Sequence, residues 1–297
     1  MRKPIACMAI AGLMLVMPLP ALAHGENLQL IWETSGFKNP ESVVYDSKRE
    51  VLYVSNVNGG PDEKNGSGSI SVVSLEGEIH ILDWVTGLNA PKGLAIVGDN
   101  LYVADIDTLV VIDIPRRTIM DRYTVDDAEF LNDVAAAGDG TVYVSDMVLN
   151  RIHRLRHGLF EVWLESKELE NPNGLLVQGE RLVVGAWGVM TDGFETETPG
   201  HLKAVSLADK SVSSIGPGEP VGNLDGVEAD LDGDFYVTDW MAGKLLHIAP
   251  DGSVDELLSL NQGSADLEYI QEMDLILIPM MNDNTLLAYR AHASEDE

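Results

Sequence analysis

Five side chains able to do chemistry recur at one place in a repeated pattern. Glu41, Lys92, Asn132, Asn173 and Asp225, with Ala265 as sixth member, each stand second in a short segment: Pro40-Glu41-Ser42-Val43, Pro91-Lys92-Gly93-Leu94, Leu131-Asn132-Asp133-Val134, Pro172-Asn173-Gly174-Leu175, Leu224-Asp225-Gly226-Val227 and Ser264-Ala265-Asp266-Leu267. Their spacings are 51, 40, 41, 52 and 40 residues. Turn chemistry alone could explain Asn and Asp before Gly, since both hydrogen-bond locally and tolerate tight backbone. It does not explain Glu41 or Lys92, poor turn residues both. A cation explains more of the set. Glu41 and Asp225 offer carboxylates, Asn132 and Asn173 amide carbonyls, and the formal charge of these four, −2, balances one divalent ion. Hard oxygen ligands in a flexible shell completed by water or substrate suit calcium better than the strict octahedron of magnesium.

Such an ion would polarise a lactone, ester or phosphoryl oxygen and stabilise the oxyanion that develops on it. Asp225 or the neighbouring Asp133 would then activate water or attack directly. A carboxylate bound to a cation is a weak base, so Asp133, or Asp266 across the ring, is the alternative to Asp225. Lys92, the only cation of the set, either pairs with Glu41 as a structural ion or binds an anionic group of the substrate.

These residues can meet only if the repeat closes on itself. After each segment come a short turn and an apolar strand, expected at residues 51–55, 101–104, 142–145, 182–185, 235–238 and 275–278. Four of those strands end in Asn56, Asp105, Asp146 or Asp239, expected as structural caps. Two further strands follow in each unit, as at 151–156 and 160–164, and no stretch has the length and 3.6 period of a helix. Six units of 40 to 50 residues, rich in β-branched residues and punctuated by turns, predict an all-β fold: a six-bladed β-propeller with four antiparallel strands per blade and a central channel. Residues 28–32 are expected to pair with the last strands and close the ring. All six second positions then surround one mouth of the channel. The long connections 57–69 and 188–200 flank that mouth from opposite blades and read as flexible flaps. Trp187, beside the second of them, is the aromatic expected to touch a ligand, with Trp240 behind it.

The 297 residues carry 48 acids against 19 bases, a formal net charge of −29. Without a basic cluster that balance argues against nucleic acid and against anionic membrane surfaces. Residues 1–23 read as a cleavable export signal: Arg2 and Lys3, an apolar run too short to span a bilayer, then Ala21-Leu22-Ala23 before His24. Cleavage after Ala23 removes Cys7, the single cysteine, and leaves residues 24–297 as one propeller domain, its blades from about residue 39, with an acidic tail at 292–297. A periplasmic or secreted address fits a chain without disulfides that is stabilised by its core. The expected partner is a small molecule, with no membrane contact after cleavage.

At the ring positions and in its repeat layout, from about Asn39 to Tyr289, the sequence resembles the regucalcin/gluconolactonase family of six-bladed propellers, and more distantly paraoxonase and diisopropylfluorophosphatase. Pro40-Glu41 is similar to that family's N-terminal Glu motif, and Asn132-Asp133, Asn173-Gly174 and Asp225-Gly226 to its three later ones. The resemblance implies a divalent cation on Glu41, Asn173 and Asp225, with Asn132 on substrate or metal. Family lactonases for sugar acids carry an Arg two residues before the Asn132-type residue; here it is Phe130. Pro40 replaces a Gly, and Tyr45 a Trp. Phe130 presents an apolar face, which predicts less hydroxylated, more apolar lactones or esters. The leading reading is therefore an exported calcium-dependent hydrolase of lactones or related esters, with a non-catalytic binding or sensor propeller as the alternative and a structural module third.

Other chemistries fail on spacing. His153 and His157 are four residues apart on a strand, where about 13 Å separates them, and read as surface residues. Asp230-Leu231-Asp232-Gly233-Asp234 opens like a calcium loop, but its twelfth position is Met241 where a bidentate Glu is required, so it reads as a hairpin turn.

Overall fold

The computed structural model describes residues 28–291; the expected export signal with Cys7, and the tail 292–297, lie outside them. Six four-stranded antiparallel sheets stand in a ring. Their inner strands are Pro40–Asp46, Pro91–Val97, Leu131–Ala136, Pro172–Gln178, Leu224–Ala229 and Glu268–Ile270. Each inner strand touches those of the blades on either side, and blade six touches blade one. The predicted propeller is the observed fold. The only helical residues among those described are two single turns, Lys167–Leu169 and Gln271–Met273.

The strand sequences follow from what covers them. Second strands such as Val51–Asn56 and Leu275–Met280 lie between two neighbouring blades, so both faces are apolar and nearly every residue is buried. Outer strands face water and are mostly exposed, as in Thr118–Thr124. The same geometry corrects the reading of His153. It sits on the third strand of its blade, wholly buried, with its ring 5.4 Å from that of Phe160 and Nε2 3.4 Å from Asp146 Oδ2. Only His157, in the following turn, is exposed. Ile152, His153 and Leu155 are buried there, so both faces of the strand are covered over its middle, while Arg154 and Arg156 keep contact with solvent.

Gln29–Ser35 pairs antiparallel with Thr285–Arg290, which pairs in turn with Leu275–Met280. The chain's first described strand thus completes the last blade and removes an edge that could template aggregation. Val43 and Leu52 of blade one share a core cluster with Leu277 and Leu286 of blade six, so the seam is packed like the other interfaces.

Each of the first five inner strands breaks register at its second and third residues, between Pro40 and Val43 in blade one and between Leu224 and Val227 in blade five, for example. Such a bulge frees two successive residues from the ladder and re-aims the first toward the channel. The backbone N–H groups it strands find side-chain acceptors on the second strand: Ser55 Oγ for Ser42, Ser145 Oγ for Asp133 and Thr238 Oγ1 for Gly226, at 2.8 to 2.9 Å. The next residue, Asn or Asp, ties down the chain entering the blade. Asn56 Oδ1 accepts from Lys38 N–H, Asp105 from Asn89 and Ala90, and Asp146 from Glu129 and Phe130. The predicted caps therefore fix where the ring residues start. Where the bulge runs closest to the next blade only glycine fits: a Cβ on Gly174 would lie 1.8 Å from Asp225 O.

Candidate functional site

Glu41, Lys92, Asn132, Asn173 and Asp225 open onto one cavity at the channel mouth, with about 560 Å³ of empty space counting its opening. That suits a small molecule. Ala265, the sixth member, is fully buried and adds no polar group.

The polar side of this cavity consists mainly of acceptors. Asn173 Nδ2 donates to Leu224 O at 3.2 Å, which turns its carbonyl the other way, and Asn173 Oδ1 has no hydrogen-bond partner. Glu41 Oε2 is likewise buried and unpartnered. Asn132 Nδ2 points at Met147 Sδ, 3.6 Å away. Burial, with the nearby Asp225 charge, holds the Glu41 carboxyl well above the usual carboxylate range. Burial and then Asp133 push Asp225 up to about 8, against the bond from Asn173. Unpaired oxygens and carboxylates that repel one another describe a site short of positive charge. A buried acceptor left unpaired costs about 1 to 3 kcal/mol, and a cation among these oxygens would remove that cost. The donor set, two carboxylates and two amide oxygens, fits a hard divalent ion.

Lys92 does not pair with Glu41. Its ammonium donates to Pro61 O at 2.8 Å and Ala90 O at 3.0 Å and lies 4.5 Å from the centre of the Phe130 ring. Burial lowers its pKa to about 8, with Glu41 opposing the shift. It thus ties the 57–67 connection, through Pro61, to the wall of the cavity while keeping a positive charge near the oxygens.

Two expected residues do not reach the cavity. Asp133 belongs to the bulge and turns toward blade four, where Oδ2 accepts from Leu175 N–H, while Oδ1 accepts from Val134 N–H of its own strand, both at 2.6 Å. Burial raises it to about 6. Asp266 accepts from Ser42 Oγ at 2.6 Å, and burial with the charges of Asp133 and Glu41 raises it well above the usual range. Both sit one residue past the ring positions, and the bulge sends that residue sideways into the neighbouring blade. Asp225 is the candidate base that lines the cavity.

The rest of the lining is apolar. Phe130, Met147, Trp187 and Trp240 form one cluster, and Phe194, Met241 and Met281 complete the lining. The 188–200 connection is not the open flap expected. Gly188–Met190 and Thr196–Pro199 pair as a hairpin, because Gly188 (φ +106) lets the strands approach within a spacing no side chain would allow. Trp187 Nε1–H donates to Phe194 O at 2.8 Å and folds the tip back over the cavity.

Met147, Phe194, Met241, Met281 and Pro61 were not expected here. For some of them a signal existed. The residue just past each second strand is Val57, Ile106, Met147, Trp187, Trp240 or Met281, a collar of apolar side chains above the polar ring. Phe194 had no such signal, since it reaches the cavity from a hairpin tip.

At the turn between the first two strands of blade five, Asp230, Asp234 and His247 stand close enough to share an ion. Asp230 Oδ1 accepts from the N–H groups of Asp232, Gly233 and Asp234, and its Oδ2 lies 2.8 Å from His247 Nε2. This is the expected hairpin turn with a histidine across it.

A family model described as SMP-30/Gluconolactonase/LRE-like region matches residues 39–263. No curated protein matches the sequence. Among solved structures, a gluconolactonase from Xanthomonas campestris superposes with a TM-score of 0.68 at 13% identity, covering 91% of this chain and 92% of that one. Virginiamycin B lyase from Staphylococcus aureus superposes with a TM-score of 0.62 at 12% identity, covering 89% and 99%. At such identities the likeness is one of fold.

Proposed function

The chain belongs to the SMP-30/Gluconolactonase/LRE-like family, and from that premise we propose that it hydrolyses lactones or related esters with calcium held by Glu41, Asn173, Asp225 and Asn132. Family members generally bind a divalent metal. The observation that carries the reading is the pair of buried, unpartnered acceptors, Glu41 Oε2 and Asn173 Oδ1, in one cavity with Asp225.

A bound cation supplies Lewis acidity at the scissile carbonyl and makes nearby water easier to deprotonate. The protein's side chains do the rest. Asn132 orients the substrate's carbonyl end at the ring. Asp225 takes a proton from water as its oxygen adds to the carbonyl carbon, and returns it to the alkoxide when the C–O bond breaks, giving a hydroxy acid from a lactone. The apolar wall excludes other water and strengthens these interactions. Lys92 keeps the 57–67 connection in place over the site.

A binding propeller without catalysis is the second reading. It is favoured by the placement of Asp133 and Asp266, which leaves Asp225 both to hold the ion and to accept the proton. Hydrolysis assays on lactones, aryl esters and phosphotriesters, with calcium and with chelator, separate the two. Turnover lost on chelation supports the hydrolase; calcium binding without turnover of any of them supports the alternative. Export through residues 1–23 belongs to the same proposal, and N-terminal sequencing of the mature protein tests it, a start at His24 being the expected result.

A further inference from the structure

We propose that the 188–200 hairpin is a specificity device: Phe194 at its tip completes an aromatic corner with Phe130, Trp187 and Trp240 that seats a flat aryl substituent of the ligand. Calling that ligand a substrate rests on the hydrolase reading above; the corner itself rests on geometry.

The Phe194 ring lies 5.3 Å from that of Phe130 at 55° and 6.4 Å from that of Trp187 at 75°, and Trp187 lies 6.0 Å from Trp240 at 54°. Phe194 and the partly buried Trp240 keep ring surface open, and a flat ring entering against them gains contacts that an alkyl chain of equal area does not. Phe194 is 38% exposed although it lines the cavity. A single exposed Phe needs no explanation. This one shares its cavity with the unpartnered oxygens of Glu41 and Asn173, so the lining is polar at the ring and aromatic in the collar and hairpin around it. The ligand that fits both sides is amphipathic: a carbonyl-bearing head at the ring and an aryl group at the corner. A sugar lactone would turn hydroxyls to rings that offer them nothing.

The hairpin is held like a wall. Asn223 Nδ2 donates to Trp187 O at 2.7 Å and to Thr196 Oγ1 at 3.0 Å. Glu170 ties both roots of the hairpin: its carbonyl accepts from Gly188 N–H at 3.0 Å, and its carboxylate holds His201 Nδ1 at 2.5 Å and Lys203 Nζ at 2.7 Å. Glu170 touches no cavity atom and is therefore a positioning residue for Phe194.

The test measures binding of two hydrolysis-resistant lactams, pyrrolidin-2-one and its 5-phenyl derivative, to the calcium-loaded protein by calorimetry, beside hydrolysis of the matching lactones. The parent should bind the phenyl lactam at least about tenfold more tightly, and Phe194→Ala should remove about that preference while leaving pyrrolidin-2-one unchanged. Phe194→Tyr should restore it. Glu170→Gln should raise KM for the phenyl lactone without changing kcat, and should leave the unsubstituted lactone unaffected. Equal affinity for the two lactams in the parent, or an equal loss for both in Phe194→Ala at unchanged melting temperature, overturns the proposal. Discrimination between the lactams with no hydrolysis of either lactone leaves the corner standing and defeats the hydrolase reading instead.

Discussion

With Asp225 pushed up to about 8 in the metal-free site, only about a tenth of it is ionised at pH 7, and calcium must displace a proton to bind. Burial and the Asp225 charge raise Glu41 in the same direction. The sign follows from linkage. A carboxylate whose folded pKa lies above its unfolded one binds more protons in the fold, so its favourable contribution is complete below the unfolded value and is lost as pH rises through the folded value. For Asp225 that window runs from about pH 4 to about pH 8, at about 1.4 kcal/mol per pH unit. Asp133, at about 6, and Glu268, at about 7, add to the slope of the chelated protein. Calcium opposes it only at the ring. With calcium at about 100 times its dissociation constant at pH 7, stabilisation is about 2.7 kcal/mol, or about 5 to 10 °C in Tm. At pH 6 one displaced proton weakens binding about tenfold, and the same calcium then gives about 1.4 kcal/mol. Thermal melts with calcium and with chelator, between about pH 5 and pH 8, read the difference. A calcium shift that is constant across this range, or absent throughout, refutes both the ligand set and the proton displacement.

Asp225→Asn should lose calcium and turnover, yet raise the Tm of the chelated protein increasingly above about pH 4, where the unfolded wild-type carboxyl ionises and the folded one does not; a lower Tm there counts against the assignment. Asp133→Asn should keep calcium in calorimetry but destabilise the fold by about 1 to 3 kcal/mol, because an amide can accept from only one of Leu175 and Val134 N–H. Lys92→Met should tighten calcium by removing a cation beside its site, and should loosen the 57–67 connection, read as faster proteolysis there; unchanged calcium affinity would contradict the electrostatic argument. Phe130→Arg should move the ratio of catalytic efficiencies from alkyl-substituted lactones toward gluconolactone, and a ratio that does not move would discard Phe130 as the determinant.

The propeller was legible because its repeat is written twice, in the second-position residues and in the Ser/Thr-Asn/Asp endings of the second strands. Ser55-Asn56 and Ser145-Asp146 each hold the bulge and the incoming chain of their own blade, and in Thr238-Asp239 the threonine holds the bulge while Asp239 accepts from Ala242 N–H in the turn that follows. That placed Glu41, Lys92, Asn132, Asn173 and Asp225 at one mouth without any coordinates. Period-two reasoning then failed just where the bulge suspends it. It could not say that Asp133 and Asp266 turn into neighbouring blades, nor that His153, on a strand covered on both faces, is buried. Phe194 was beyond reach for another reason: its place depends on the hairpin pairing and on the Trp187 bond to its carbonyl, neither of which has a periodic signature.

Blade four shows how scaffold and site are separated. Its second strand ends in Gly185-Ala186, with neither the hydroxyl nor the Asn or Asp that Ser55-Asn56, Ser145-Asp146 and Thr238-Asp239 supply in blades one, three and five. The chain before the ring residue holds the residues past that strand, as Asn39 O and Lys38 O hold Val57 and Asn58 N–H in blade one. Asn171 O accepts from Trp187 N–H, Glu170 O accepts from Gly188 N–H, and Asn171 Nδ2 donates to Met147 O. These bonds fix the root of the hairpin and join it to the collar of blade three. A hairpin anchored this way can change at its tip without disturbing Asn173, whose own bond runs to Leu224 O. Substitutions at Phe194 should therefore alter what the cavity accepts while leaving calcium affinity as it was, whereas substitutions at Asn171 should disturb the two together.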